Sequence, residues 1–228
     1  MKYEFNVSKL KETDKGTAVV GIIKDRHVAN QIERMIKNGE ITGSLHIDDP
    51  SLISSPQRRK IFAIINDISK YTGEIPEIER FTLTKIYCDQ KDIPFISLRQ
   101  DDDMPNVASK QQASEFITFL IDFCFQMNIP TKDTLLNVTE EISAYLYLCI
   151  KHKKCALCQK PADIHHEDTI GMGNDRKTLD DSKHKKIALC REHHNIAHNM
   201  GIDSFRNKYK VYGIVVDEKD YTQWKEIK

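Results

Sequence analysis

The 228 residues suffice for one large domain or two small ones, and 39% hydrophobic with 30% charged residues describes a folded chain and excludes long disorder. No apolar run approaches the roughly 18 residues of a membrane span. The opening MKYEFNVSKLKETDKG has no apolar stretch of secretory type, so the cytoplasm is the expected compartment. Net charge is zero, but residues 151–212 carry thirteen Lys/Arg against eight Asp/Glu. Such a local excess is the footprint of a polyanion site, or simply an ordinary charged surface.

The first 48 residues read as short strands and turns. MKYEFNV and GTAVVGIIK have alternating or β-branched character, and NGEITGSLHI offers a turn at Asn38-Gly39 before another strand. Between them HVANQIERMIK has helical spacing at Val28, Ile32, Met35 and Ile36. A helical middle follows. A helix starting at Ser55-Pro56 ends at Gly73, a second begins at Pro76, IPFISL is a short strand, and SKQQASEFITFLIDFCFQMN is a strong helix ended by Asn128 and Pro130. NVTEEISAYLYLCIKH is one further helix, capped by Thr139 or Asn137, and it runs directly into Cys155.

Of six cysteines, Cys88, Cys124 and Cys149 sit in apolar surroundings and read as buried free thiols of a reducing compartment. The other three lie among histidines, and seven of the nine histidines fall between His152 and His198. Cys155-x2-Cys158 and Cys190-x2-His193 are two tight knuckles able to present four donors to one zinc ion. The 31 residues between Cys158 and Cys190 require a structural insert. A second set is superimposed on the first. His194 and His198, four apart on a helix, share one face and can grip one cation. His193 points about 100° away from His194, toward a different ion. His165 and His166, consecutive near the end of a strand, face opposite sides, so one can ligate a metal while the other faces a substrate water. The bland reading is a single zinc site with spare surface histidines.

This pattern resembles the HNH, or ββα-metal, nucleases, and is closest to phage-encoded members that combine zinc knuckles with an HH…LCxxHHxxxH signature. The resemblance covers residues 150–212. It implies a β-hairpin packed on a helix with one divalent metal (Mg²⁺, Mn²⁺, Ni²⁺ or Zn²⁺) between them. Carried onto this chain, His165, His194 and His198 become metal ligands and His166 the general base, with departure of the 3′-oxygen and 5′-phosphate products. Glu167, Asp168 or a backbone carbonyl can orient an imidazole. The Asn that usually precedes the LC motif by five or six positions is absent. Lys185 and His184 stand there; His184 can substitute as the bracing group or serve as an extra phosphate contact, and the lysine can simply face solvent. Arg176, in the glycine-bearing IGMGNDR loop, Lys185 and Arg191 are candidate DNA contacts, while Lys177, Lys183 and Lys186 read as diffuse backbone electrostatics. Phe205 and Tyr209, four apart, read as core packing of a short helix.

SPQRRKIFAIINDISKYTG…ASKQQASEFITFLIDFCFQMNIP, over residues 55–130, resembles Orf/NinB-type phage recombination proteins, which assist on single-stranded DNA. If so, Gln57, Arg58 and Arg59 can touch phosphate, although a solvated helix face explains them as well. Isolated His27 and His46, and the acidic run Asp101-Asp102-Asp103, carry no catalytic pattern. The expected architecture is α+β. A mixed α/β, recombination-protein-like domain (residues 1–135) binds DNA or a partner, and a zinc-stapled, treble-clef-like HNH module (136–228) cuts. The resemblances imply a bacterial host cell, with DNA, single-strand-binding or recombination proteins as partners, and a homodimer on symmetric substrates. The rival readings are a non-catalytic zinc-stabilised nucleic-acid binder and an adaptor for single-strand-binding protein.

Overall fold

A computed structural model describes residues 5–24, 26–36, 49–99, 106–167 and 184–217, and the chain forms two compact units, Met1–Asp48 and Asp49–Lys228. Asn38-Gly39, His46, the Asp101–Asp103 run, Asp168 and the IGMGNDR loop with Arg176 and Lys177 lie outside the described residues, as does Lys183. No described helix is long and apolar enough to cross a membrane.

In the first unit, β1 (Phe5–Thr13) and β2 (Gly16–Ile23) form an antiparallel hairpin, followed by α1 (Arg26–Ile36). Gly16 adopts φ 125°, which only glycine takes readily, and its carbonyl accepts from the Thr13 hydroxyl at 2.6 Å. A register shift between Val7 and Lys9 frees Ser8, whose hydroxyl donates to the Val20 carbonyl.

The second unit begins with three helices: α2 (Ser55–Thr72), α3 (Pro76–Lys91) and α4 (Lys110–Gln126). Ser54 with Gln57, and Ser109 with Gln112, are reciprocal capping boxes that satisfy the first free N–H groups of α2 and α4. Gly73, at φ 79°, closes α2 in the left-handed conformation. Ile61, Ile65 and Ile68 of α2, Leu83 and Tyr87 of α3, and Phe116, Ile117 and Leu120 of α4 form a dry core. Each such side chain contributes about 1.5–3 kcal/mol on burial.

Two expectations are corrected here. IPFISL is not a strand. Only Ser97 bridges to Val107, because Ile96 and Leu98 turn inward while Phe95 stays exposed, leaving no continuous ladder. NVTEEISAYLYLCIKH is not one helix either. A single turn, α5 (Leu135–Val138), ends at Thr139, and α6 (Ile142–Lys151) starts from Glu141 without a side-chain cap. The Thr139 hydroxyl donates to the Glu141 carbonyl, so it shapes the break and does not cap a helix.

Helix α6 is buried through Tyr145, Leu146, Cys149 and Ile150, and it packs on both α4 and the strand β4 described below. Lys151 (3.1 Å) and His152 (2.5 Å) both reach Asp122 of α4. Burial opposes ionisation of Asp122, yet hydrogen bonds from His152 and Lys151 outweigh it and hold the carboxyl below its ordinary range. The helical layer and the C-terminal module therefore share one core, and the expected boundary at 135/136 falls within this unit. Cys88, Cys124 and Cys149 are buried free thiols, as expected, and burial pushes Cys124 up to about 12.

Beyond α6 the chain turns through a knuckle at Cys155–Cys158 into β3 (Asp163–His166), which pairs antiparallel with β4 (Lys186–Leu189). Helix α7 (Arg191–Met200) follows β4 directly, and α8 (Ile202–Tyr209) packs on α7 after Gly201. Phe205 is fully buried, its ring 4.8 Å from that of Tyr209.

Candidate metal centre

The first knuckle is closed by backbone hydrogen bonds. Cys155 N–H donates to the Lys160 carbonyl, Gln159 N–H returns to the Cys155 carbonyl, and Gln159 takes φ 60°. Ala156 N–H ties the knuckle to Ala188 of β4, so the loop cannot move independently of the hairpin. The second knuckle is the N-terminal turn of α7, with Cys190 at the N-cap.

Donor atoms of Cys155, Cys158, Cys190 and His193 all lie within 4.8 Å of one another. Cys158 Sγ is 3.6 Å from Cys190 Sγ, and His193 Nδ1 is 3.2 and 3.4 Å from the sulfurs of Cys190 and Cys155. The bond lengths of a tetrahedral zinc–thiolate–imidazole site imply donor–donor edges of roughly 3.5–3.8 Å, so the cluster fits zinc with little rearrangement. Electrostatics favour it too. Burial opposes ionisation of Cys190, but the backbone N–H groups of His193 and Glu192, and hydrogen bonds from the neighbouring thiols, hold it below the ordinary thiol value. Burial pushes Cys158 up to about 12, so without a cation the pair does not ionise together.

The second cluster is built by the hairpin and α7 together. His165 on β3 points inward and is buried; His194 and His198 project from α7, one turn apart. Ring centroids are 4.7 Å (His165–His194), 4.9 Å (His165–His198) and 4.7 Å (His194–His198), with planes close to perpendicular. One nitrogen from each ring lies within 4.8 Å of the others. Burial, then the nearby imidazoles of His194 and His198, push His165 down to about 4. The imidazole is thus neutral near pH 7, the form that ligates metal. Among the described residues, these three imidazoles are the donors grouped at this point.

His166 follows His165 on β3, half-buried and paired in register with Lys186. His184 precedes β4, and its backbone carbonyl accepts from Lys186 Nζ at 3.2 Å. Lys185 and Arg191 are exposed, Lys185 just before β4 and Arg191 as the first residue of α7.

Three residues around the hairpin, Lys186, Arg206 and Gly213, were not legible as parts of the site. Lys186, grouped by its sequence with the diffuse surface charges, is fully buried, and its backbone exchanges two hydrogen bonds with Ile214. The Glu167 carboxylate is buried as well. It does not reach an imidazole through any hydrogen bond found among the described residues; instead Arg206 of α8 grips it through Nε and a close Nη2 contact. Gly213 passes directly over that carboxylate, since a Cβ there would lie 2.6 Å from Glu167 Oε2. Only the position of Glu167, directly after the HH pair, could have drawn attention to this bracket.

Two short antiparallel strands and a helix bring three imidazoles together beside a Cys3His cluster that could hold zinc, a ββα arrangement within an α+β fold. The chain belongs to a nuclease family of this kind: it matches the family described as "Putative HNHc nuclease" over residues 24–224, most of its length. Metal-dependent nuclease chemistry is what that membership implies. No curated protein and no solved structure matches the chain.

Proposed function

We propose that this chain is a DNA endonuclease that hydrolyses phosphodiesters at the His165–His166–His194–His198 centre, with a structural zinc on Cys155, Cys158, Cys190 and His193. The convergence of His165, His194 and His198 on one point of a ββα scaffold carries the proposal. His166 lies on the same strand as His165 with its side chain on the opposite face of the pleat, outside the three-imidazole group. Imidazole accepts protons near neutral pH, so His166 takes the proton of a water whose oxygen bonds to phosphorus as the P–O3′ bond breaks. A divalent ion on the three imidazoles supplies charge neutralisation at the phosphate and the departing oxygen. His165, His194 and His198 hold that site; Lys185, Arg191 and Arg176 contact the DNA backbone; and His184 braces the hairpin in place of the usual Asn. The basic excess of residues 151–212 supports a polyanionic substrate. The resemblance of residues 55–130 to recombination proteins supports a role in phage-type recombination, replication or packaging.

Nicking of supercoiled plasmid with Mg²⁺, Mn²⁺, Ni²⁺ or Zn²⁺, comparing wild type with His166→Ala, tests the reading. Cleavage by wild type and its loss in His166→Ala is the expected result. Equal cleavage by both, or none by either with any metal, overturns it.

A further inference from the structure

Away from the metal centre, α3 and the segment 93–99 enclose a groove of about 340 Å³ with an unusual lining. Phe81 and Phe95 form an aromatic pair, ring centroids 5.3 Å apart and planes tilted by 34°. Both are largely in solvent, at 57% and 42% exposure, although a Phe pair is among the costliest apolar surfaces to leave wet. Arg80 and Arg99 flank them. The Arg80 guanidinium is held over the Phe62 ring at 5.6 Å, and the Ser97 hydroxyl accepts from Arg99 N–H and donates to the Arg99 carbonyl, fixing the backbone from which Arg99 extends. Among the described residues, no carboxylate lines the groove.

From these observations we propose that the groove is a docking site for single-stranded nucleic acid, separate from the cutting centre. A base stacks on the Phe81–Phe95 pair, and Arg80 and Arg99 take the flanking phosphates. Aromatic platforms flanked by cations bind single strands with little sequence preference, because every base has a stacking face. An apolar protein segment also fits exposed phenylalanines, but two arginines with no carboxylate in the described lining favour a polyanion. The ligand class rests on the nuclease reading; the site itself rests on the groove.

The test is binding of a fluorescein-labelled (dT)12 strand to the full-length zinc-loaded chain in buffer without added Mg²⁺ or Mn²⁺, read by anisotropy. Phe81→Ala/Phe95→Ala weakens binding by about fivefold to a hundredfold, the range for removal of a base–aromatic stack. Arg99→Ala lowers the salt slope by about 0.7. Phe95→Trp binds, and the fluorescence of its added indole is quenched by unlabelled (dT)12. Unchanged affinity in the folded double variant, or an indole in Phe95→Trp that (dT)12 does not quench, overturns the inference. A change of oligomeric state in the double variant by light scattering, with single-strand affinity intact, assigns the groove to a protein partner and also overturns it. Phe-dependent binding in a protein that cuts nothing would sink the nuclease reading and leave the groove standing; cleavage with Phe-independent binding would do the reverse.

Discussion

Gly213→Ala is a one-carbon change whose cost can be worked from the structure. The added Cβ would meet Glu167 Oε2, Cδ and Cγ at 2.6, 2.7 and 2.9 Å, all closer than real Cβ contacts come. The backbone at 213 is bracketed by the Lys186–Ile214 pair, so Glu167 must give way. Overpacking a filled site costs about 1–3 kcal/mol. If Glu167 swings aside, the penalty is the loss of its pair with Arg206. Breaking a fully buried pair costs about 3–5 kcal/mol. Here Arg206 is 34% exposed and partly screened, which discounts that figure. Both routes converge on about 2–3 kcal/mol, or roughly 4–12 °C in melting temperature for a unit of this size. The damage is local as well, because Glu167 N–H closes the hairpin onto the Lys185 carbonyl one residue beyond His166. Cleavage should therefore fall at saturating metal and at temperatures where the protein is folded. Thermal and urea denaturation of wild type, Gly213→Ala, Glu167→Ala and the double variant measure the coupling. Glu167→Ala opens the space that the new methyl group needs, so the Gly213→Ala penalty should shrink below about 0.5 kcal/mol in that background. A Gly213→Ala protein as stable as wild type, or equal penalties in both backgrounds, would refute the steric bracket.

The remaining predictions concern the ions and protons. Chelation, or Cys158→Ser, should release one zinc equivalent and lower the melting temperature by well over 10 °C, since structural zinc contributes about 10–16 kcal/mol in small zinc domains; unaltered stability in protein shown by mass spectrometry to be metal-free would mean that the cluster is not structural. His194→Ala should abolish titration of the second metal by calorimetry while His166→Ala keeps it, and both should lose cleavage; loss of metal binding in His166→Ala would place that residue among the ligands. His165 is pushed down to about 4 in the folded chain without metal, against about 6.5 unfolded, so its contribution is complete above pH 6.5 and is lost as pH falls toward 4. Scanning melts of protein lacking the second metal should fall across that window more steeply for wild type than for His165→Gln, and parallel curves would contradict the assignment.

The grouping of the donors into two clusters was legible because ligand geometry is local. Two residues between donors make a knuckle whatever the fold around it, and i,i+4 histidines share a helix face. The helices ending at Gly73 and starting at Ser109 were legible for the same reason: caps and left-handed glycines satisfy backbone groups within a few residues. IPFISL and the break at Thr139–Glu141 failed because strand and helix continuity there depend on which neighbours supply hydrogen bonds, and not on propensity. Burial of Lys186, capture of Glu167 by Arg206 across 39 positions, the approach of Gly213, and the meeting of Phe81 with Phe95 beside two arginines are likewise long-range results. Spacing along the chain determines which donors can share an ion. Only the packing of α8 and the 211–216 segment against the hairpin, and of α3 against segment 93–99, decides which charges are buried and which aromatics stay in water, because desolvation depends on everything that surrounds a group.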